Sequence, residues 1–175
     1  LAGRIPRIAI NHGYCFAGNA ALFGAADLRI ATEASCIGMA GPAMIEGGGL
    51  GSWQPQDIGP VSVHRENGVV DIAVTDEAAA TLMAKRVLAC VQGSMADWQA
   101  ADQSELVELM PTNRRYAFDV RKIIRHLFDT ESFIETRPDM GRAIITGLAR
   151  VEGRAVAVLA SDCRHLGGAI DGESA

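Results

Sequence analysis

Short apolar segments alternate with glycine-containing turns through the first third of the chain, and this alternation constrains the fold more than any other feature. Residues 5–11 form an apolar run, rich in Ile, that is typical of a buried strand. The run ends near Gly13, and small residues at helical spacing start near Gly18 and continue to residue 26. We interpret the segment as a strand, a turn and a tightly packed helix.

A second unit of the same kind follows directly. We predict strands at Leu28–Thr32 and at residues 36–40. Gly41 and Pro42 then mark the start of a helix, because a proline in the first helical turn has no hydrogen bond to lose. Together the two units predict an α/β fold that is built from repeated β/α elements.

The middle of the chain contains a loop, a strand and a helix. The glycine-rich residues 46–59 lack periodicity and are predicted to form a loop, and residues 69–74 form a strand. Thr75 and Asp76 can cap a helix whose apolar residues recur every three or four positions up to Val91.

A polar connector separates this part from a second half. Residues 94–116 show only a weak helical pattern and are interpreted as the connector. After it, Asp119 precedes an amphipathic helix over residues 120–128. Two strands, at residues 143–151 and 155–159, are joined through Gly153 as a hairpin. The glycine-rich residues 166–171 are a further turn that leads into a helix.

Composition excludes several classes of protein. The 175 residues are 49% hydrophobic, which is enough for a real core, and the net charge of -5 comes without any basic stripe, so nucleic acid is not expected as a partner. No run approaches the roughly 18 apolar residues of a membrane helix. The four cysteines are widely spaced without a CxxC motif, so we expect neither a zinc site nor a disulfide framework, and we expect a cytoplasmic protein.

The first strand, turn and helix could carry chemistry through the backbone alone. Free N–H groups at a helix N-terminus beside Gly18 can converge on a negatively charged oxygen. A bulky side chain at Gly18 would block the approach of a substrate. On spacing alone, a glycine turn that serves only close packing is the more frequent explanation.

A series of short motifs strengthens the chemical interpretation because they follow one another in a familiar order. The chain resembles the carboxyltransferase of biotin-dependent acyl-CoA carboxylases, of the β-subunit type, along essentially its whole length. The motifs that carry the resemblance are Gly3-Arg4-Ile5-Pro6, His12-Gly13-Tyr14-Cys15-Phe16-Ala17-Gly18-Asn19-Ala20-Ala21, Asp27-Leu28-Arg29-Ile30, Gly38-Met39-Ala40-Gly41-Pro42, Asn67-Gly68-Val69-Val70-Asp71, Tyr116-Ala117-Phe118-Asp119-Val120-Arg121, Asp129 with Ser132-Phe133-Ile134-Glu135, Thr146-Gly147-Leu148-Ala149-Arg150 and Gly167-Gly168-Ala169-Ile170-Asp171.

The resemblance implies a crotonase-like fold of repeated ββα units, arranged as two related domains. Residues 1–93 would be the C-terminal part of the first domain, residues 94–116 the connector, and residues 117–175 the start of the second domain. The chain would then be a central fragment of a longer enzyme. In the family, an acyl-CoA loses a proton from its α-carbon, and the resulting enolate captures the carboxyl group that carboxybiotin releases.

The resemblance also assigns candidate site residues. The backbone pair that holds the thioester enolate falls on Gly18 and Asn19, beside Ala17. The family usually has Gly-Gly where this chain has Gly18 and Asn19, so the preference for the acyl group is open. Two further pairs are candidates for substrate contacts: Gly41 with Pro42, which resembles the border of the acyl-CoA and biotin channel, and Gly167 with Gly168.

Cofactors and partners follow from the same resemblance. Biotin, as carboxybiotin on a carrier, and acyl-CoA are expected, with no metal in this segment. A biotin carboxylase, a biotin carboxyl carrier and further copies of the chain are expected partners, with the active site at a subunit interface. Neither nucleic acid nor a membrane is expected.

Two other classes of function stay open. Another crotonase-fold acyl-CoA enzyme, such as a hydratase, isomerase or decarboxylase, would share the backbone donors but usually adds a carboxylate beside them, and none is close to Gly18 in sequence. The chain could also be a non-catalytic fragment or assembly module.

Several residues that could suggest chemistry have ordinary explanations. Cys15 is expected to be a buried inert thiol, and the four histidines show no metal-ligand spacing. Arg114 and Arg115 are expected to be a solvated pair rather than a phosphate site. We expect buried hydrogen bonds at Asp27, Asp71 and Glu135.

Overall fold

A computed structural model describes residues 2–113 and 115–175 of the chain. It divides into two compact units, Leu1–Arg86 and Val87–Ala175. Each unit has its own buried cluster of apolar side chains. They are therefore described in turn.

The first unit repeats a strand–strand–helix motif. The first repeat is β1 (Ile8–Asn11), β2 (Tyr14–Phe16) and α1 (Gly18–Gly24), and the second is β3 (Leu28–Thr32), β4 (Cys36–Gly38) and α2 (Pro42–Gly47). The first strand of each repeat joins a parallel sheet of order β1-β3-β5, where β5 is Ile72–Val74. The second strands form a separate parallel pair, β2-β4. This is the repeated ββα pattern.

Two helices complete the first unit. The helices are α3 (Val61–Glu66) and α4 (Glu77–Val91), and α4 continues into the second unit. The expected cap of α4 is present, since the Asp76 carboxylate accepts a hydrogen bond of 2.8 Å from the N–H of Ala79. Side chains from strands and helices form the core, which consists of Cys15, Ala20, Phe23, Ala31, Ile37, Val61 and Val70.

A buried ion pair fastens β3 to the segment before β5. The guanidinium of Arg29 donates to both oxygens of Asp71, at 2.9 and 3.1 Å, and the Arg29 backbone N–H donates to the same carboxylate. Asp71 is 5% exposed, so breaking the pair would leave an unpaired charge inside the protein. The buried hydrogen bonds that the sequence predicted at Asp71 are confirmed.

The second unit combines one helix with an antiparallel sheet. It contains α5 (Val120–Leu127), β6 (Ile134–Thr136), β7 (Ile144–Val151) and β8 (Arg154–Ser161), and the sheet order is β6-β7-β8. Asp119 caps α5 by accepting from the N–H of Arg121, as predicted. The core consists of Ile124, Ile145, Ala149 and Val158.

The β7-β8 hairpin turns through Glu152 and Gly153, which both have positive φ, of 50° and 77°. Two positive φ values in a two-residue loop match the right-handed twist of the strands. The buried carboxylate of Asp129 accepts both turn N–H groups, at 2.9 and 2.7 Å, and this holds the predicted hairpin closed.

The structure differs from the sequence-based expectations at several boundaries. The first strand starts at Ile8 rather than at residue 5, and β4 ends at Gly38 rather than at residue 40. Helix α3 and strand β6 were not predicted, because six and three residues are too few to show a period. The weak helical pattern in the connector is only a 3₁₀ helix, Gln103–Val107.

Ala17 connects β2 to α1 in a conformation that alanine seldom adopts. Its φ of 54° and ψ of -123° match the first central residue of a type II′ turn, a position that glycine dominates. The N–H of Ala17 donates to the Gly38 carbonyl at 3.0 Å, and its carbonyl accepts the first helical hydrogen bond, from Ala21. These two hydrogen bonds hold the strained turn in place.

Replacing Ala17 with Gly should therefore stabilise the chain. Relief of about 1–3 kcal/mol of strain exceeds the roughly 0.4–1 kcal/mol of extra chain entropy that glycine adds to the unfolded state. We expect Ala17→Gly to raise the free energy of unfolding by about 1 kcal/mol in urea titration. Ala2→Gly, at the start of the chain, is a control that should change nothing, and a less stable Ala17→Gly would contradict the strain.

A network of charges joins α5 to β6 and to the end of β8. Arg121 donates to Glu135 at 2.9 Å and to Asp162 at 2.6 Å, and Arg164 also donates to Asp162, at 3.3 Å. Burial on its own raises the pKa of Asp162, but the hydrogen bonds from Arg164 and Arg121 outweigh it and lower the pKa to about 2. The carboxylate is 5% exposed.

This depressed pKa predicts how the second unit responds to acid. Because the folded form binds the Asp162 proton more weakly than the unfolded form, the stabilisation is complete above about pH 4 and is lost as the pH falls towards 2. The loss should be about 2 kcal/mol. Trp98 fluorescence in a Trp53→Phe background reports unfolding of this unit, and Asp162→Asn should flatten the profile between pH 4 and 2. An unchanged profile would contradict the pKa.

Candidate functional site

Two helices of the first unit begin at the same edge of the β2-β4 sheet. Phe16, the last residue of β2, pairs in parallel with Gly38, the last residue of β4. Helix α1 starts at Gly18 and helix α2 at Pro42, so each follows the carboxyl end of one of the paired strands. Ligands of open parallel sheets bind at this edge. The structure thus brings the N-termini of both helices to one edge.

The two candidate segments also share a neighbour. A side chain added at Gly41 would lie 3.3 Å from the Phe16 ring, so Gly41 lets the α2 segment lie against that ring. The Tyr14 ring stacks on Phe16 at 5.9 Å between centroids. Among the sequence-predicted site residues, Ala17, Gly18, Asn19, Gly41 and Pro42 are therefore grouped around the end of β2.

The first turn of α1 presents unpaired donors. Within the described residues, the backbone N–H groups of Gly18 and Asn19 form no hydrogen bond, as expected in a first helical turn. Both residues are exposed, and a side chain added at Gly18 would find no atom within 4 Å. The first turn of α1 is therefore exposed to solvent, with room for a Cβ at Gly18.

Asn19 also lines a cleft of about 340 Å³ between β1, β2 and α1. None of the eight lining residues in this described region carries a carboxylate. Tyr14 and Leu22 are lining residues that the sequence interpretation missed. A usable signal existed for Leu22, since it lies three positions after Asn19 on the same helix and so on the same face.

Gly167 and Gly168 belong to the second unit, in the 3₁₀ turn Leu166–Gly168. A side chain added at Gly168 would lie 2.9 Å from the Ser161 hydroxyl, which donates to the Gly168 carbonyl. Both glycines have positive φ, so the chain does not continue from them as an α-helix. Local packing accounts for this turn, and its role in binding substrate stays a prediction.

The remaining candidates have structural partners. Burial raises the pKa of the Cys15 thiol, which fits an inert cysteine rather than a nucleophile. His12 contacts Thr32 at 2.9 Å and Glu77 at 3.2 Å, so it is held by side chains of β3 and α4.

The carboxylates that matched family motifs pair with arginines. Asp27 pairs with Arg7 at 2.7 Å on the surface, where 46% of its side chain is exposed, so this carboxylate is not buried as expected. Glu135 pairs with Arg121. Of the predicted arginine pair, Arg114 lies outside the described residues, and the N–H of Arg115 donates to Asn113.

The described residues form neither a metal-binding cluster nor a helix that could cross a membrane. No group of three or more His, Cys, Asp or Glu side chains there is arranged to hold a metal ion. No helix in residues 2–113 and 115–175 has both the length and the apolar character needed to cross a membrane.

Comparison with known proteins agrees with these features. The carboxyl transferase domain family matches residues 1–175. The chain is 31% identical over 186 residues to the beta6 subunit of the biotin-dependent acetyl-/propionyl-coenzyme A carboxylase of Mycobacterium tuberculosis, covering 99% of the chain and 38% of that subunit. It is 32% identical to the propionyl-CoA carboxylase beta chain of Rhodococcus erythropolis, with the same coverage of 99% and 38%.

A solved structure extends the comparison to the fold. The structure of a single-chain, multi-domain long-chain acyl-CoA carboxylase aligns with a TM-score of 0.96 and 49% identity, covering 98% of this chain and 18% of that one. The expected crotonase-like fold class is confirmed. The chain spans less than two fifths of the length of these relatives. Since the family match runs along all 175 residues, the chain belongs to the carboxyl transferase domain family.

Proposed function

We propose that this chain contributes the acyl-CoA side of the carboxyltransferase in a biotin-dependent acyl-CoA carboxylase. One observation carries the proposal: a chain of the carboxyl transferase domain family places two unpaired backbone donors, Gly18 and Asn19, at the carboxyl edge of a parallel sheet. The names of three relatives, each an acyl-CoA carboxylase or a subunit of one, support the same activity.

The chemistry assigned to this chain is stabilisation of negative charge. When the α-carbon of an acyl-CoA loses its proton, charge develops on the thioester oxygen. The N–H groups of Gly18 and Asn19 would donate to that oxygen, and donors fixed in a helix need no reorganisation as the charge forms. Carboxybiotin, when bound, supplies the carboxyl group that the α-carbon then takes up.

The open space at Gly18 fits this role. The thioester must approach the helix N-terminus closely, and a Cβ at Gly18 would fill the approach while touching no other atom of the protein. Gly41 and Pro42, at the same sheet edge, are proposed to border the channel through which the acyl-CoA and the biotin group meet. Ala17 would act by holding the turn. Gly167 and Gly168 are also proposed as substrate contacts.

The cleft composition favours this function over other crotonase-fold chemistry. A hydratase or isomerase usually needs a carboxylate next to the backbone donors, and none of the residues lining the described cleft beside Asn19 is acidic. A binding measurement distinguishes the proposed function from that of a non-catalytic module. The purified chain should bind acyl-CoA in calorimetry, and a complete lack of binding would favour the module.

We also propose the wider assembly. Residues 1–93 would be the C-terminal part of a first carboxyltransferase domain, residues 94–116 the connector, and residues 117–175 the start of a second domain. The division into two units after Arg86 supports two domains. A biotin carboxylase, a biotin carboxyl carrier and a second copy at the active site are proposed partners, in the cytoplasm. The similarity to a subunit of a biotin-dependent carboxylase supports the carrier and the carboxylase.

Gly18→Val tests the donor pair in the carboxyltransferase that contains this chain. Valine keeps both N–H groups but should block the thioester from reaching them, so transfer to the acyl-CoA should fall at least about 100-fold, as it does when one such donor is lost. Folding should persist, because Gly18 is exposed and a Cβ there meets nothing within 4 Å. Carboxylation of acetyl-CoA and propionyl-CoA, with thermal unfolding in parallel, measures both.

Gly24→Val is the matched control, because Gly24 ends the same helix and is equally free of neighbours. Its activity should stay close to that of the parent. Normal transfer by a folded Gly18→Val enzyme would refute the donor role.

A further inference from the structure

We propose that His64 is a positioning residue for the carboxyl transfer, because its side chain fixes the end of β4 and β4 holds the turn before the two backbone donors. The inference rests on the proposed function, since that function gives the donors of Gly18 and Asn19 their task. His64 lies in the last turn of α3 and is half-buried. Its Nε2 lies 2.7 Å from the carbonyl oxygen of Ile37 in β4.

The outer edge of β4 is the one that does not pair with β2. There the N–H of Ile37 donates to the Gly59 carbonyl at 2.8 Å, and the Ile37 carbonyl accepts from His64. A carbonyl oxygen only accepts, so Nε2 of His64 must carry the proton. A Cβ at Gly59 would overlap this carbonyl and lie 2.7 Å from Nε2, so glycine lets the loop and the histidine reach Ile37 together. Because Ile37 is buried, loss of the donor would destabilise the edge.

The residues that follow α3 hold the ring of His64. Its Nδ1 lies 3.3 Å from Nδ2 of Asn67, and Oδ1 of Asn67 accepts from the N–H of Val69 at 3.1 Å. Since Val69 fixes which end of the amide faces the ring, Asn67 donates to Nδ1. Both ring nitrogens therefore have partners, and these partners select the tautomer that donates to β4.

The next residue of β4 connects this edge to the proposed site. Successive carbonyls of a strand point to opposite sides, so the Ile37 carbonyl faces His64 while the Gly38 carbonyl faces β2. The Gly38 carbonyl accepts from the N–H of Ala17 at 3.0 Å. Ala17 has a φ of 54° and directly precedes Gly18, so its turn depends on bonds of this kind. Without the bond from His64, the end of β4 could shift and move the turn with it.

Two variants of His64 test the role of its N–H group. His64→Phe keeps a ring but has no donor, whereas His64→Gln places an N–H near the Nε2 position. In the carboxyltransferase that contains this chain, at a temperature where each variant is folded, His64→Phe should lower kcat about 10–100-fold, because a displacement of about 1 Å can have that effect. Kd for free CoA, which has no thioester, should not change. His64→Gln should restore most of kcat.

Two results would overturn the proposal. One is a folded His64→Phe enzyme with the kcat of the parent, and the other is an equal loss of kcat in His64→Phe and His64→Gln. If His64→Phe unfolds, His64→Asn replaces it, since its shorter amide ends near the Nδ1 position and does not reach Ile37.

His126→Phe is the matched control. Nε2 of His126 also donates to a backbone carbonyl, that of Asp102 at 2.8 Å, but this bond lies in the second unit. The control should lower the melting temperature and leave kcat close to that of the parent. An equal loss of kcat in His64→Phe and His126→Phe would reveal a general effect of lost stability and would overturn the positioning role.

Ala17→Gly tests the route through the turn. Glycine adopts a φ of 54° without strain, so the turn should no longer depend on β4. In that background His64→Phe should lower kcat less than about threefold, since two substitutions that act through one contact are not additive. The same fold-loss in both backgrounds would overturn this route.

Hydrogen exchange separates the inference from the proposed function, because it requires no activity. The amide of Ala17, which is bonded to Gly38, should exchange at least about tenfold faster in His64→Phe and at the parent rate in His126→Phe. Faster exchange with normal transfer by Gly18→Val would mean that His64 holds the turn while the donor role fails. Unchanged exchange with loss of transfer in Gly18→Val would mean that the donors act and that His64 does not position them.

Discussion

The strained backbone of Ala17 determines where the proposed site lies. Strand β2 ends at Phe16 and helix α1 begins at Gly18, so Ala17 alone must change the direction of the backbone between them. Alanine at φ 54° and ψ -123° does this at a cost of about 1–3 kcal/mol. The hydrogen bond from Ala17 to Gly38 ties the turn to β4, and through β4 to the α2 segment. A relaxed turn would point the donors of Gly18 and Asn19 elsewhere.

The sequence was sufficient to predict an element where its apolar residues recur over enough positions to show a period. Helix α5 repeats apolar residues over more than two turns, and its Asp119 cap marks the start, so both were predicted and both are confirmed. The hairpin was predictable because Gly153 stands where a positive φ is needed. In contrast, β6 has three residues, and a segment of that length contains no period that could identify it.

The site was predictable in its parts but not in its assembly. Glycine and small residues after a strand suggested a backbone site near Gly18, and the family resemblance extended it to Asn19; the role of the pair stays a proposal. That Gly41 lies near them depends on the parallel pairing of Phe16 with Gly38, a contact between distant segments that no local pattern encodes. The Ala17 turn was unpredictable for a different reason, because alanine carries no preference for positive φ.

The proposed site relies on backbone donors, and this choice of donor affects its response to pH. Backbone N–H groups do not titrate, and the two titratable residues lining the described cleft are Tyr14 and Cys15. Burial raises the pKa of the Cys15 thiol, which keeps it neutral near pH 7. The proposed donors and the Cys15 thiol therefore carry no charge near neutral pH. In the proposed carboxyl transfer, neither the two N–H donors nor the Cys15 thiol would then supply a pH dependence near neutral pH.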